Sequence, residues 1–203
     1  MIGKMAIKGN LQARVIRAKS PGLFWYLTNW MKWSMIKSLI GVFIINPIAR
    51  AFGLLTAYGK LEATLFKADG SIIRYGVVSY RVVTTAFVNF VVAQLQTETS
   101  VFGDFKFHDA GTGTTAADVA DTGIETTDGV ARATGTQAEG AAANIYSSVG
   151  TITYAGNTAV TEHGLFNDVS AGTLLDRHVF SAINVVSGDS IQFTYALTVS
   201  AGG

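Results

Sequence analysis

Three histidines, His108, His163 and His178, each stand beside an acid: Asp109, Glu162 and Asp176. Imidazole titrates nearest neutrality of all side chains. With a carboxylate partner it can form an acid–base pair, and several together can ligate a metal. No two of these histidines have the close spacing that places both on one helix face. His163 and Glu162 are neighbours in a strand-like segment, so a period of two sends them to opposite faces. Only the fold can gather the three rings, and lone histidines are more often structural or surface residues. The chain has no cysteine, which excludes disulfide frameworks and thiolate metal sites. Gly111-Thr112-Gly113-Thr114-Thr115-Ala116 fits the loose pattern G-x-G-x-x-A, but the ADVADTG that follows is polar and short. A dinucleotide site needs that turn to open a helix inside a βαβ unit, so these residues read as a turn. There is no Walker loop and no G-x-S-x-G. No catalytic, cofactor-binding or metal-ligating residue is assigned. The expectation is a protein that is not an enzyme and needs no cofactor. Two mid-strand charges stand apart, Arg177 in the pair Asp176-Arg177 and Arg132. Each suits either solvent or a bridge to a neighbouring strand or subunit.

The elements that must position these residues are mainly strands. From Ile191 to Val199, Ile191, Phe193, Tyr195, Leu197 and Val199 alternate with Gln192, Thr194, Ala196 and Thr198. That strand has one apolar face and needs a second layer to cover it. Leu61–Phe66 and Ile72–Val78 flank Asp69-Gly70, which predicts a hairpin with a type I′ turn. Val77–Val83 extends the sheet. Thr84 is placed to cap a helix running to about Gln96, with Phe87, Phe90, Val91 and Leu95 on one face. Further strands are expected at Phe105–His108, Val130–Gln137, Ala141–Tyr154, Thr158–Phe166, Leu174–Ala182 and Ile191–Ser200. Asp109 to Gly129 is rich in Gly, Thr and Asp and reads as an exposed or loosely ordered excursion. Seven or eight short strands with one amphipathic helix predict a two-sheet β-sandwich, possibly of jelly-roll type. This body spans residues 58–203.

Residues 1–57 differ in kind and predict a basic, apolar helical arm. Residues 1–60 carry nine basic residues and no acid, whereas the remainder carries six against fourteen. Such asymmetry suits an anionic membrane, nucleic acid or an acidic protein surface, although no specific nucleic-acid site is evident. Residues 23–57 hold all three tryptophans, Trp25, Trp30 and Trp33, and Asn46-Pro47 should kink or end a helix. The uncharged runs Ser20–Met31 and Ser38–Ala49 are short for a spanning helix, which needs about 20 apolar residues. A helical hairpin covered by protein, an interfacial helix with Trp and Lys at headgroup level, a tilted span over Trp33–Leu55 and a cleaved signal are the four readings. The first leaves 23–57 packed on protein; the middle two give it membrane contact.

Several segments of 60–203 carry a resemblance as a set. They are Gly76-Val77-Val78-Ser79 with Arg81-Val82-Val83-Thr84-Thr85, and Phe105-Lys106-Phe107-His108 with Gly111-Thr112-Gly113-Thr114. Further on are Arg132-Ala133-Thr134-Gly135-Thr136-Gln137, Thr161-Glu162-His163-Gly164-Leu165-Phe166, Gly172-Thr173-Leu174-Leu175-Asp176-Arg177 and Ser187-Gly188-Asp189-Ser190-Ile191-Gln192. In these residues the chain resembles an uncharacterised family of small virion structural proteins of tailed bacteriophages. The resemblance implies a component of the phage particle, as a capsid cement or decoration protein, with a tail, neck or fibre component as the alternative. It implies other virion proteins as partners, the major capsid protein or tail proteins, and a homo-oligomer. It supplies no catalytic residue. A membrane-anchored binding module that uses the N-terminal apolar segment is the competing expectation.

Overall fold

The computed structural model describes residues 56–95 and 105–200. Residues 1–55 fall outside, and with them the expected arm and almost all of its apolar stretch. Among the described residues the chain is mainly β, with two antiparallel sheets and a single helix. The five-stranded sheet has the order β2-β1-β9-β6-β5. Its strands are β1 (Thr56–Phe66), β2 (Ile72–Val82), β5 (Thr136–Glu139), β6 (Ile145–Thr153) and β9 (Ser190–Ser200). The four-stranded sheet has the order β4-β3-β7-β8. It comprises β3 (Phe107–Gly111), β4 (Ala133–Thr134), β7 (Thr158–Phe166) and β8 (Leu174–Val185).

The closing strand organises the larger sheet as its alternation requires. β9 lies at the centre, paired with β1 on one side and β6 on the other. Ile191, Phe193 and Tyr195 are wholly buried, and the residues between them are half-exposed. Their apolar face meets Leu61 and Leu65 of β1 and Val160, Phe180 and Ile183 of the other sheet in one core. Burying a side chain of this size contributes about 1.5–3 kcal/mol, so this face is the main source of cohesion between the sheets.

Several boundaries differ from the sequence expectation. β1 begins at Thr56, before Leu61. The expected Val130–Gln137 strand is two strands in different sheets, β4 and β5, joined at Gly135. The segment therefore passes from one sheet to the other, which alternation alone cannot reveal. The β1–β2 turn is not type I′. Only Gly70 has a positive φ (84°), and Asp69 does not. Lys67 N donates to Ser71 O at 2.8 Å across a loop of Ala68–Gly70, a three-residue hairpin with glycine in the left-handed position. Leu174–Val185 runs three residues beyond its expected end.

Helix α1 (Thr85–Leu95) starts where its cap predicts. Thr84 Oγ1 accepts from Phe87 N at 3.1 Å and donates to Leu174 O at 2.7 Å, tying the helix start to β8. Phe87 and Phe90 meet Phe105 edge-on, with ring centroids 5.3 and 5.0 Å apart. Leu95, expected on the buried face, is 78% exposed.

Candidate functional site: a buried histidine row and the clasp behind it

The structure gathers the three histidines. β3, β7 and β8 are adjacent, and His163 pairs directly with His178 while His108 sits one pleat away, opposite Leu165. All three rings point into the space between the sheets, and none is exposed. His108 Nδ1 lies 3.0 Å from His163 Nε2, and His108 Nε2 lies 2.9 Å from Ser148 Oγ on β6. His163 packs tilted against Phe193 with ring centroids 4.6 Å apart, and His178 meets the Tyr195 ring edge-on at 5.6 Å. Glycines in the facing strands make room. A Cβ on Gly150 would stand 2.4 Å from His108 Cδ2, and one on Gly135 2.7 Å from His108 Nε2.

The proton positions follow from satisfaction. His163 Nδ1 has no partner. An orphaned N–H is rarer in protein interiors than an under-used acceptor. The consistent arrangement has His163 Nε2–H donating to His108 Nδ1, and His108 Nε2–H donating to Ser148. Burial pushes the His108 pKa down to about 4. Burial lowers His163 further still, with the neighbouring histidines adding to the effect. Both rings are therefore neutral at pH 7. His178 Nε2 comes within 3.2 Å of Asp176 Oδ2, but its alignment does not make a hydrogen bond, so the contact is electrostatic. Tyr195 OH donates to the same carboxylate oxygen at 3.3 Å, and burial holds this phenol well above its usual pKa, with Asp176 adding to the rise.

Behind this row, on the other face of the same strands, lies a charged clasp. Glu162 and His163 do point to opposite faces. Glu162 is fully buried. Its Oε1 accepts from Gly113 N at 2.9 Å and Thr126 N at 2.7 Å. Its Oε2 accepts from Glu125 N at 2.9 Å and Arg177 Nε at 2.7 Å. All four acceptor positions of the carboxylate are thus in use. Arg177 spends three of its four other donors on Asp121 (3.1 Å), Glu125 (3.2 Å) and Thr115 O (3.3 Å). Burial opposes the charge on Arg177, but its hydrogen bonds to Glu162 and Asp121 outweigh that and raise its pKa.

The clasp anchors the Asp109–Gly129 excursion, whose residues beyond Gly111 are a largely exposed loop as expected. Asp109–Gly111 belong to β3, and the residues after them fold back over the outer face of the four-stranded sheet. Thr112 N donates to Thr126 O at 2.8 Å, and Ile124 covers Gly164. The Gly111–Ala116 stretch opens no helix. Gly113 instead supplies a backbone N–H to Glu162. Arg132 closes the far end. It pairs with Asp109 Oδ2 at 2.9 Å, lies 3.5 Å over the Phe166 ring, and donates to Asp168 O and Ala171 O. Both arginines singled out by sequence are thus internal ties. Ser148, Gly135 and Gly150 were missed, because nothing local marks a residue that a distant strand approaches.

Chemically, the row has the parts of a proton relay, a hydroxyl, two bonded imidazoles and a carboxylate–imidazole contact. A base must come within about 3 Å of the proton it takes, and no atom here meets solvent. Among the described residues no group of three or more His, Cys, Asp or Glu is arranged to hold a metal ion. Among them, too, no helix is long and apolar enough to cross a membrane.

One open feature of the body is apolar. A groove of about 550 Å³ runs between α1 and the ends of β6 and β9, lined by Phe87, Val91, Val92, Phe105, Leu197 and Val199 among others. On β2, one of the two outermost strands of the larger sheet, Ile72 and Ile73 are 48% and 44% exposed. Compared with protein-family models and with curated proteins, the chain matches none.

Proposed function

We propose that this protein is a non-enzymatic structural component of a bacteriophage particle, a capsid cement or decoration protein that acts by subunit contacts. One observation supports this reading above others. The three histidines, Glu162 and Arg177 are buried, while apolar side chains stand exposed on an outermost strand. His108 and Ser148 join the sheets, Glu162 and Arg177 hold the loop, and Ile72 and Ile73 are exposed. An outer β-strand with exposed aliphatic residues is a ready site for another chain to add to, and natural monomers usually blunt such edges. The resemblance of 60–203 to small virion proteins points the same way.

On this reading the two sheets form a sandwich body that joins copies of itself and the shell protein, in the virion. The basic, apolar residues 1–55, which precede β1, tether it. Their charge complements an acidic neighbouring surface, and an apolar arm laid on a partner buries much area at the cost of being ordered. The test is composition. Particles of the phage that encodes the chain, purified and analysed by mass spectrometry, should contain it in many copies. Its absence from intact particles refutes the proposal.

A further inference from the structure

We infer that the histidine row is an acid-operated latch: protonated, it releases the crossover at Gly135 and lifts β4 and β5 away from β3 and β6, while the centre of the larger sheet stays paired. The geometry of the crossover leads there. His108 of β3 and Ser148 of β6 meet across the sandwich at 2.9 Å, and Gly135 lies against that bond. A Cβ on Gly135 would stand 2.7 Å from His108 Nε2 and 2.8 Å from Ser148 Oγ, and Gly150 is as close to the ring from β6. The ring therefore cannot shift without pushing on both backbones. The strands on either side of Gly135 are lightly held. β4 pairs with β3 through Ala133 and Thr134, Gly135 N donates to Lys106 O at 2.7 Å, and β5 pairs with β6 over Thr136–Glu139. β1 and β9, in contrast, pair along the whole of Thr56–Phe66. Such lightly paired segments open first.

The row has no place for a further proton. On His163 it lands on Nδ1, which has no acceptor. On His108 it lands on Nδ1 and sets two N–H groups against each other 3.0 Å apart. Nor does an acid face either ring. Asp109 and Glu162 point to the outer face, where Arg132 and Arg177 hold them. Around the row stand Tyr146 with Ser148 on β6, Phe193 and Tyr195 on β9, and His178 with Asp176 on β8. That carboxylate meets His178 and Tyr195 and feels the charge of Arg81 on β2. Glu139 of β5 is exposed, and α1 carries no titratable group. An added proton thus brings a buried charge without a counter-ion and an N–H without an acceptor, and opening gives both to water. Once open, His108 binds its proton near the ordinary 6.5, and while closed only near about 4. The open form takes up protons first, so opening is favoured as pH falls below 6.5. Between pH 7 and pH 5 this residue alone shifts the balance by about 20-fold, and His163 adds to it in the same direction. Acid then uncovers the edge of β6 over Tyr146–Val149, whose backbone groups another strand can pair with.

Amide hydrogen exchange of the full-length chain at pH 7 and pH 5, corrected for the chemical exchange rate and read by mass spectrometry, tests the latch. Protection over 133–139 should fall about 20-fold or more at pH 5, and that over 58–65 and 191–197 by less than about threefold. Equal protection of 133–139 at the two pH values, or a loss spread evenly over all strands, overturns the inference. These two profiles decide it on the parent chain alone. His108→Gln, which keeps a polar group beside Ser148 and takes up no proton, adds a second reading. Its pH response over 133–139 should be smaller than the parent's by about that same 20-fold, and an unchanged response overturns the inference. Neither reading bears on whether particles contain the protein.

Discussion

Glu162→Ala probes the clasp at its centre. The substitution leaves Arg177, whose side chain is 3% exposed, without its shortest partner, and it removes the acceptor for three backbone N–H groups, of Gly113, Glu125 and Thr126. Removing one member of a buried ion pair costs about 3–5 kcal/mol, because the other charge stays behind. Arg177 keeps Asp121 and Glu125, which are partly exposed, so a value near the lower end, about 3 kcal/mol, is expected. At about 2–4 °C per kcal/mol for a domain of 150–250 residues, Tm should fall by roughly 6–12 °C. Urea unfolding at pH 7 measures the loss. Amide exchange locates it, with protection falling across 112–132 while β1, β9 and β6 keep theirs. The double variant Glu162→Gln/Arg177→Met should cost less than the sum of its single changes by about 0.5–3 kcal/mol. A loss below about 1 kcal/mol for Glu162→Ala, or unchanged exchange in 112–132, would show that the loop is held by something else.

The histidine row makes the body acid-sensitive. The unfolded chain protonates His108 near the ordinary value of 6.5, whereas the folded protein resists until about pH 4. Stability is therefore complete above pH 6.5 and falls as pH drops through that window, by about 1.4 kcal/mol per pH unit for each such histidine. His163, lowered further, adds a second proton, so His163→Phe should halve the slope seen in urea titrations between pH 6 and 4.5. Gly150→Ala forces a Cβ to 2.4 Å from the His108 ring and should cost about 1–3 kcal/mol by overpacking, read as a lower Tm with no change of sheet content by circular dichroism. Thr84→Ala removes the cap of α1 and its tie to Leu174, and should cost about 1–2 kcal/mol, with exchange rising first in residues 86–88.

Much of the architecture was legible because it rests on period two. Thr158–Phe166 matches its expected span, and the alternation of Ile191–Leu197 is the alternation of burial in β9, whereas Val199 at the strand's end is exposed. Thr84 marked the helix start because a hydroxyl cap is a local device. What was not legible depends on pairing between distant strands. Nothing in ARATGTQ shows that Gly135 carries the chain from one sheet to the other. Asp109–Gly129 looks solvated because its own residues are polar and small, yet a carboxylate and a guanidinium from β7 and β8 hold it down. The histidines were visible as residues and their opposed faces followed from the pleat. Their meeting did not, since it needs β3, β7 and β8 side by side. Leu95 fits its helical stripe and is still exposed, at the lip of the apolar groove beside Val91 and Val92.

The account turns on contacts between copies made by the body itself. The most direct measurement is the solution mass of the full-length chain by light scattering, beside Ile72→Lys/Ile73→Lys. These changes place charge on the exposed edge of β2 and leave the core untouched. The account predicts a discrete oligomer for the parent chain and a loss of that mass in the double variant, with its unfolding transition retained. A parent chain that stays monomeric across its soluble range, or an oligomer indifferent to both lysines, contradicts it.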